Sequence, residues 1–359
     1  MGTDKRHIMT AVYALAHMAV DLCCAYLVYA HGLGGEHWYS LLLVYNFCAF
    51  ALQMPLGVLA DSLDRNSFMA VLGCLGVLAG LGLGRAGYAG AAVWAAGIGN
   101  ACFHVGGGVD VLNFSGEKAG PLGIFVAPGA LGIYMGGILG RSGRNLSLWM
   151  CGIILLFAAA IWAASGRLGL WRRSGNAPVS YEIHMSGAAP AVKLLAVSCF
   201  FSVVILRSYS GMVQHFPWKE TVAGSAWLLT GAVVLGKAAG GMLGDWAGIR
   251  KTAACSMCAA AVGFFFLMFP GAGIPAVFFW NMSMPLTLWA VGKAMPGARG
   301  FGFGLLTFGL FLGFCPVYLA GVGGGTGRMS GWASSCWGMA FMAAVSLALL
   351  GWGLRKVTE

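Results

Sequence analysis

The chain has 359 residues, of which 59% are hydrophobic and only 9% charged, and its mean hydropathy is +0.81. A soluble domain carries about 25% charged residues, so composition excludes a water-soluble enzyme, a disordered chain and a nucleic-acid binder. The formal charge of +10 reads as loop charge of a membrane protein, because Lys and Arg gather in cytoplasmic loops.

A helix needs about 20 apolar residues to cross the hydrocarbon core. Twelve such runs lie near 8–30, 38–60, 67–84, 88–111, 120–140, 146–165, 190–213, 223–243, 252–270, 274–294, 300–321 and 330–354. No cleavable signal peptide is expected, since the first run is long and contains Asp21. With the amino terminus in the cytoplasm, most of the 21 Lys and Arg fall on that side, Arg65, Arg167, Arg172, Arg173, Arg250 and Lys251 among them. Arg85, Arg141, Arg144, Lys219 and Arg328 fall outside. This orientation satisfies the positive-inside rule and places both termini in the cytoplasm.

Span 1 carries His17 and Asp21, an i, i+4 pair on one helix face. At 1.5 Å per residue they lie roughly 14 and 20 Å into the span, and ionisable groups at that depth are functional candidates by default. Histidine is poised near neutrality and a carboxylate in a low-dielectric cavity resists ionisation, so together they can bind and release a proton. The competing role is a fixed hydrogen bond that locks the helix. After span 2 comes Gly57-Val-Leu-Ala-Asp61-Ser-Leu-Asp-Arg65. Span 4 holds His104 beside Gly106-Gly-Gly108, with Asp110 and Glu117 near its end. The 58 glycines sit largely inside apolar spans, where small residues let helix backbones approach.

The longest polar interruption, 166–189, divides the spans six and six, giving bundles over 1–165 and 190–359 joined by a central cytoplasmic loop. Span 7 contains Arg207 in Ile-Leu-Arg207-Ser-Tyr209. It either snorkels to the outer interface or presents its guanidinium to a carboxylate, phosphate or phosphonate. Lys237, deeper in span 8, has no acid within a turn, and Asp21 is one candidate partner. Gly241-Met-Leu-Gly-Asp245-Trp-Ala-Gly248-Ile-Arg250-Lys251 follows span 8. Cys255 and Cys258 form a lone CxxC without a second pair, and the eleven cysteines show no disulfide framework, so packing is expected and no metal or cofactor. Span 10 combines Asn281, Ser283, Pro285 and Thr287, hydrogen-bonding groups around a helix-breaking proline.

The Gly-x-x-x-Asp stretches at Gly57–Asp61 and Gly241–Asp245 recur about half the chain apart, so each half reads as a copy of one six-helix unit. The expected fold is an all-α polytopic membrane protein, twelve transmembrane helices in two six-helix bundles related by pseudo-twofold symmetry. This doubled loop, with Arg65 after the first copy and Gly248, Arg250 and Lys251 after the second, resembles the gating motif of the major facilitator superfamily. Asp64 stands where the first copy would carry glycine. Three stretches further resemble the fosmidomycin-resistance branch of bacterial exporters: His17-Met-Ala-Val-Asp21, Gly97-Ile-Gly99-Asn-Ala-Cys-Phe103-His104, and Gly123-Ile-Phe125 through Gly132 to Gly136-Gly137. Helix 4 departs from the drug exporters in having Val93 where they place an arginine.

The resemblance implies that helices 1, 4, 7 and 10 line a central cavity, and His17, Asp21, His104, Arg207 and Asn281 fall on those four helices. The chemistry of these intramembrane groups assigns proton coupling to Asp21 and His17, and substrate contact to Arg207, His104, Asn281, Ser283, Tyr209 and Lys237. The resemblance also implies a latch of Asp110 with Arg65. The expected function is a monomeric, proton-coupled secondary transporter of the bacterial inner membrane exporting a small anionic or zwitterionic compound, its partners being substrate, protons and lipid rather than nucleic acid. Uptake by proton symport is the alternative. A non-transporting receptor or scaffold and an intramembrane enzyme are the rival classes, the latter lacking a nucleotide loop, an HExxH or a GxSxG motif.

Overall fold

In hydrocarbon the backbone must satisfy its own polar groups, which leaves the helix as the only open-chain solution, and the chain is built accordingly. The computed structural model describes residues 3–32, 38–171, 179–322 and 328–359; Arg172 and Arg173, read above as loop charges, lie outside them. Among the described residues there are twelve long helices. These are α1 (Thr3–Leu27, continued by a wider π-helical turn, Val28–Gly32), α2 (Trp38–Leu63, with a similar turn at Phe47–Ala51), α3 (Asn66–Arg85), α4 (Ala89–Ser115), α5 (Gly120–Arg141) and α6 (Ser147–Leu168). They continue with α7 (Pro190–Val213), α8 (Ser225–Ala247), α9 (Ile249–Phe265), α10 (Pro270–Ala294), α11 (Arg299–Val322) and α12 (Cys336–Thr358). All except α4 and α9 are long and apolar enough to cross a membrane by length and composition alone.

The chain forms two compact units. The first comprises Met1–Gly116, Ile124–Tyr181 and Gly297–Phe308, the second Glu117–Gly123, Glu182–Pro296 and Gly309–Glu359. The change between them at Tyr181 and Glu182 falls in the polar interruption seen in the sequence. The first turns of α5 and α11, however, each cluster with the unit opposite to the rest of their half.

Helix α10 is two helical segments, Pro270–Asn281 and Ser283–Ala294, meeting at Met282. Pro285 has no N–H to offer the carbonyl of Asn281, four residues back. The Ser283 hydroxyl donates to the Trp280 carbonyl at 2.8 Å and the Asn281 amide to the Val277 carbonyl at 2.8 Å. These side chains serve the interruption from within the same helix.

The loops after α2 and α8 each pass through a residue of positive φ. Gly248 has φ 95 and ψ 138, a conformation open to glycine. Asp64, at the corresponding place, is the sole non-glycine residue with positive φ among those described, at φ 49 and ψ 45. Aspartate tolerates this region better than other side chains, at a cost of about 1–2 kcal/mol. Asp64→Gly should therefore leave thermal stability in detergent unchanged or raised. Asp64→Val, whose branched Cβ is worst suited to the turn, should lower it by about 1–2 kcal/mol. Equal melting of the two variants would show that the loop does not hold its handedness.

Candidate functional site

Four buried side chains meet inside the first unit. His17 and Asp21 share one face of α1, Asn100 and His104 one face of α4, and each pair is one turn apart. None of the four is more than 8% exposed. His17 Nδ1 lies 2.8 Å from the Phe125 carbonyl of α5, and its Nε2 lies 3.2 Å from Asp21 Oδ2. His104 Nδ1 lies 2.9 Å from the Asn100 carbonyl. Its Nε2 is 2.9 Å from His17 Nε2 and 3.7 Å from Asp21 Oδ1. The Asn100 amide donates to Asp21 Oδ1 at 3.1 Å. One donor atom from each of His17, Asp21 and His104 can be drawn within 4.8 Å of the others, close enough to meet on one small cation. The rings of Phe103 and Phe125 flank His17.

Sequence reasoning assigned His104 to substrate; the structure brings it onto His17 and Asp21 instead. Asn100 was missed, although its spacing from His104 repeats that of His17 and Asp21. Asp21 is answered by groups of its own unit, so it needs no cation such as Lys237. Asp110 departs from expectation as well. Its carboxylate accepts from the Tyr13 hydroxyl at 2.6 Å and from the Ser67 hydroxyl at 2.8 Å, while Arg65 is exposed. Two neutral hydroxyls serve a buried carboxylate at less desolvation cost than a guanidinium, which explains why the expected latch is replaced.

The duplicated loop motif acts on helix ends. Gly57 and Asp61 lie one turn apart on α2. A Cβ on Gly57 would collide with the Gly300 carbonyl. That close approach lets the Asp61 carboxylate accept from the N–H groups of Gly300 at 2.7 Å and Phe301 at 2.8 Å, in the first turn of α11. Gly241 and Asp245 repeat the arrangement in the second unit. A Cβ on Gly241 would stand 2.5 Å from the Ala119 carbonyl, and Asp245 accepts from Ala119 at 2.6 Å and Gly120 at 2.9 Å, where α5 begins. A helix start leaves donors unpaired and carries positive partial charge, so a carboxylate there is favourable. Arg250, Lys251, Cys255 and Cys258 are exposed. Glu117 pairs with Lys293 at 3.6 Å, and its carbonyl accepts from Trp289.

In the second unit Arg207 is 8% exposed. Among the described residues its Nη1 has no hydrogen-bond partner. One turn on, Ser210 accepts from the indole N–H of Trp280 at 2.9 Å. Tyr209 and Lys237 are half-buried, on α7 and α8. Ser283 is fully buried, and its hydroxyl and the Asn281 amide donate to carbonyls of α10 itself, as described above.

No family model and no curated protein matches the chain. Solved structures do. The fucose:proton symporter FucP of E. coli aligns with a TM-score of 0.65 and 14% identity over 99% of both chains. A second structure of FucP, described as a major facilitator superfamily transporter in the outward conformation, gives 0.68 and 14% identity over 99% of this chain and 98% of that one. The human organic anion transporter MFSD10 gives 0.66 and 14% identity over 98% and 100%. A bacterial homologue of the iron transporter ferroportin, in an outward-facing state, gives 0.62 and 13% over 98% of each. The chain thus has the fold of major facilitator transporters and is a multi-pass membrane protein.

Removing one cap should loosen only the helix it serves. Asp245→Asn should speed amide hydrogen exchange at Ala119 and Gly120 and leave Gly300 and Phe301 unchanged; Asp61→Asn should do the reverse. A helix-end charge is worth about 1 kcal/mol, so roughly fivefold faster exchange is expected at the affected pair. Uniform change at both helix starts would show that the carboxylates do not act locally.

Proposed function

We propose that the protein is a proton-coupled secondary transporter of the bacterial inner membrane that exports a small organic anion or zwitterion by alternating access, working as a monomer. The observation that carries this reading is Arg207, a guanidinium buried in a membrane-spanning helix with Nη1 unpartnered among the described residues. A guanidinium keeps its charge, and a buried charge left unanswered costs several kcal/mol. A substrate carboxylate, phosphate or phosphonate would supply the missing acceptor, through a bidentate fork that lysine cannot reproduce. Tyr209, Lys237, Asn281 and Ser283 belong to the same reading as lining groups, and the carboxylate caps at Asp61 and Asp245, with Arg65, Asp110, Gly248, Arg250 and Lys251 nearby, as its gate.

The His17–Asp21 pair is the proton site in this reading, an ionisable cluster where the membrane makes such groups costly. Two structural neighbours lend support, one named as a proton symporter and another as an organic anion transporter. Export follows from the resemblance of α1, α4 and α5 to the fosmidomycin-resistance branch.

The test is a thermal-shift screen of carboxylates and phosphonates, fosmidomycin included, against size-matched amines at two pH values, since a ligand that binds the folded state raises its melting temperature. Anions should stabilise the protein and amines should not. Arg207→Lys should weaken the best anion about tenfold, and Arg207→Ala more, with folding retained. If amines are the ligands, or Arg207→Ala binds the anion normally, the anion site is wrong. In proteoliposomes Asp21→Asn should lose gradient-driven accumulation of that anion at neutral pH while exchange across the membrane survives. Undiminished uphill transport would remove Asp21 from the coupling site.

A further inference from the structure

The buried cluster of α1 and α4 has the composition of a metal site, and its hydrogen bonds decide which atoms it offers. His17 Nδ1 faces the Phe125 carbonyl at 2.8 Å and His104 Nδ1 the Asn100 carbonyl at 2.9 Å. A carbonyl can only accept, so each Nδ1 carries the hydrogen of its ring and Nε2 is the nitrogen with a lone pair to give. Metal-binding histidines are held in this way, the second nitrogen donating to a carbonyl or carboxylate that fixes the ring. Here both Nε2 atoms turn inward and stand 2.9 Å apart. Asp21 presents Oδ2 to the first at 3.2 Å and Oδ1 to the second at 3.7 Å.

These separations match the edges of a coordination shell. Nitrogen and oxygen ligands bonded to one ion at about 2.0–2.2 Å stand about 3 Å apart at a right angle and about 3.4 Å apart at the tetrahedral angle. The donor set also selects the ion. Imidazole nitrogen suits the first-row transition metals, whereas calcium and magnesium take shells of oxygen. We propose that His17 and His104, through their Nε2 atoms, and Asp21, through its carboxylate, bind one divalent first-row transition-metal ion inside the first unit. The ion and a proton would compete for the same lone pairs, so the metal site goes beyond the proton-coupled reading and does not depend on it.

Two further features point to a ligand. Asn100 is 1% exposed, and its Oδ1 has no hydrogen-bond partner among the described residues, although its Nδ2 donates to Asp21. Three protein ligands leave a fourth position to water, and a water on the ion would have that oxygen to donate to. The other feature is Gly129 of α5, where a Cβ would collide with His17 Nε2 and stand 2.6 Å from Asp21 Oδ2. A side chain there would fill the space beside two of the ligand atoms, and glycine leaves it open. The charge balance agrees. Asp21 brings a negative charge, while the Lys and Arg residues of α1, α4 and α5 are Lys5, Arg6 and Arg141, all near helix ends. Phe103 and Phe125 flank the His17 ring, and such apolar walls lower the local dielectric and strengthen the attraction of the carboxylate for a cation.

The experiment is metal binding by the full-length protein in lipid nanodiscs, with Cys255→Ser and Cys258→Ser introduced so that the exposed CxxC cannot hold the probe. After chelator treatment, Zn2+ or Co2+ is added and the bound ion is counted after equilibrium dialysis. One ion per chain should bind, and Ca2+ or Mg2+ in large excess should not displace it. X-ray absorption at the cobalt edge should show a shell of nitrogen and oxygen with imidazole scattering and no sulfur. His104→Gln and Asp21→Asn should each weaken binding by about a hundredfold or more, since even groups that only orient metal ligands are worth up to that much. Melting of each variant without metal reports whether it folds. The proposal is overturned if the protein retains no ion, if Ca2+ displaces it, or if folded His104→Gln binds as tightly as the parent. Sulfur in the shell would also overturn it, since Cys24 stands next to Asp21 and Asn100. The absorption measurement needs none of the ligand substitutions, so it decides the matter even where a variant does not fold.

Discussion

Two carboxylates at helix starts are the constraint on which much of the architecture depends. Asp61 and Asp245 each take two main-chain N–H groups from the first turn of a helix remote in sequence. A membrane helix can satisfy its interior but never its own first turn. Each cap requires a close backbone approach, and each Gly-x-x-x-Asp sequence provides one, glycine admitting the backbone and aspartate, a turn later, binding it. The clustering of Gly297–Phe308 with the first unit and Glu117–Gly123 with the second follows from this pairing. The motif is thus a device for holding a helix end that belongs to the other repeat.

The helices were legible because lipid imposes both a minimum length and a near absence of charge, which ten of the twelve long helices satisfy by themselves, and α4 and α9 followed as apolar runs between them. Pro285 likewise marked the interruption of α10. The pairing of Asp61 with Gly300 and Phe301 was not legible, because its partners are main-chain groups, which carry no signature of residue type. For the same reason the carbonyls of Phe125 and Asn100, which fix the two histidine rings, could not be anticipated. Within the cluster, His17 and Asp21 were visible from spacing inside one helix. Joining His104 and Asn100 to them required the rotation of α4 about its axis, which packing decides. Arg65 was expected to answer Asp110 from the family resemblance, whereas the hydroxyls of Tyr13 and Ser67 take that place.

The two units solve the cost of buried charge differently. In the first, Asp21 and Asp110 are each surrounded by donors or potential donors from neighbouring helices, so their charge is distributed over several short contacts. In the second, Arg207 has at least one donor nitrogen without a partner among the described residues. A saturated group stabilises the resting protein and has little left to offer a visitor. An unsaturated one is costly at rest and therefore selective for whatever relieves it. That contrast, rather than charge itself, distinguishes the acids of the first unit from the guanidinium of the second.

Asp64 and Gly248 carry a wider consequence. The two loops place a positive φ at corresponding positions, but with ψ 45 at Asp64 and ψ 138 at Gly248, one an acid and the other glycine. What the two copies share is therefore the sign of φ at one turn and the carboxylate cap before it, while the detailed path of the main chain and the side chain at the turn differ. Likeness of fold at the scale of helices is looser still in sequence, for the chain superposes on solved transporters along nearly its whole length while sharing about one residue in seven with them.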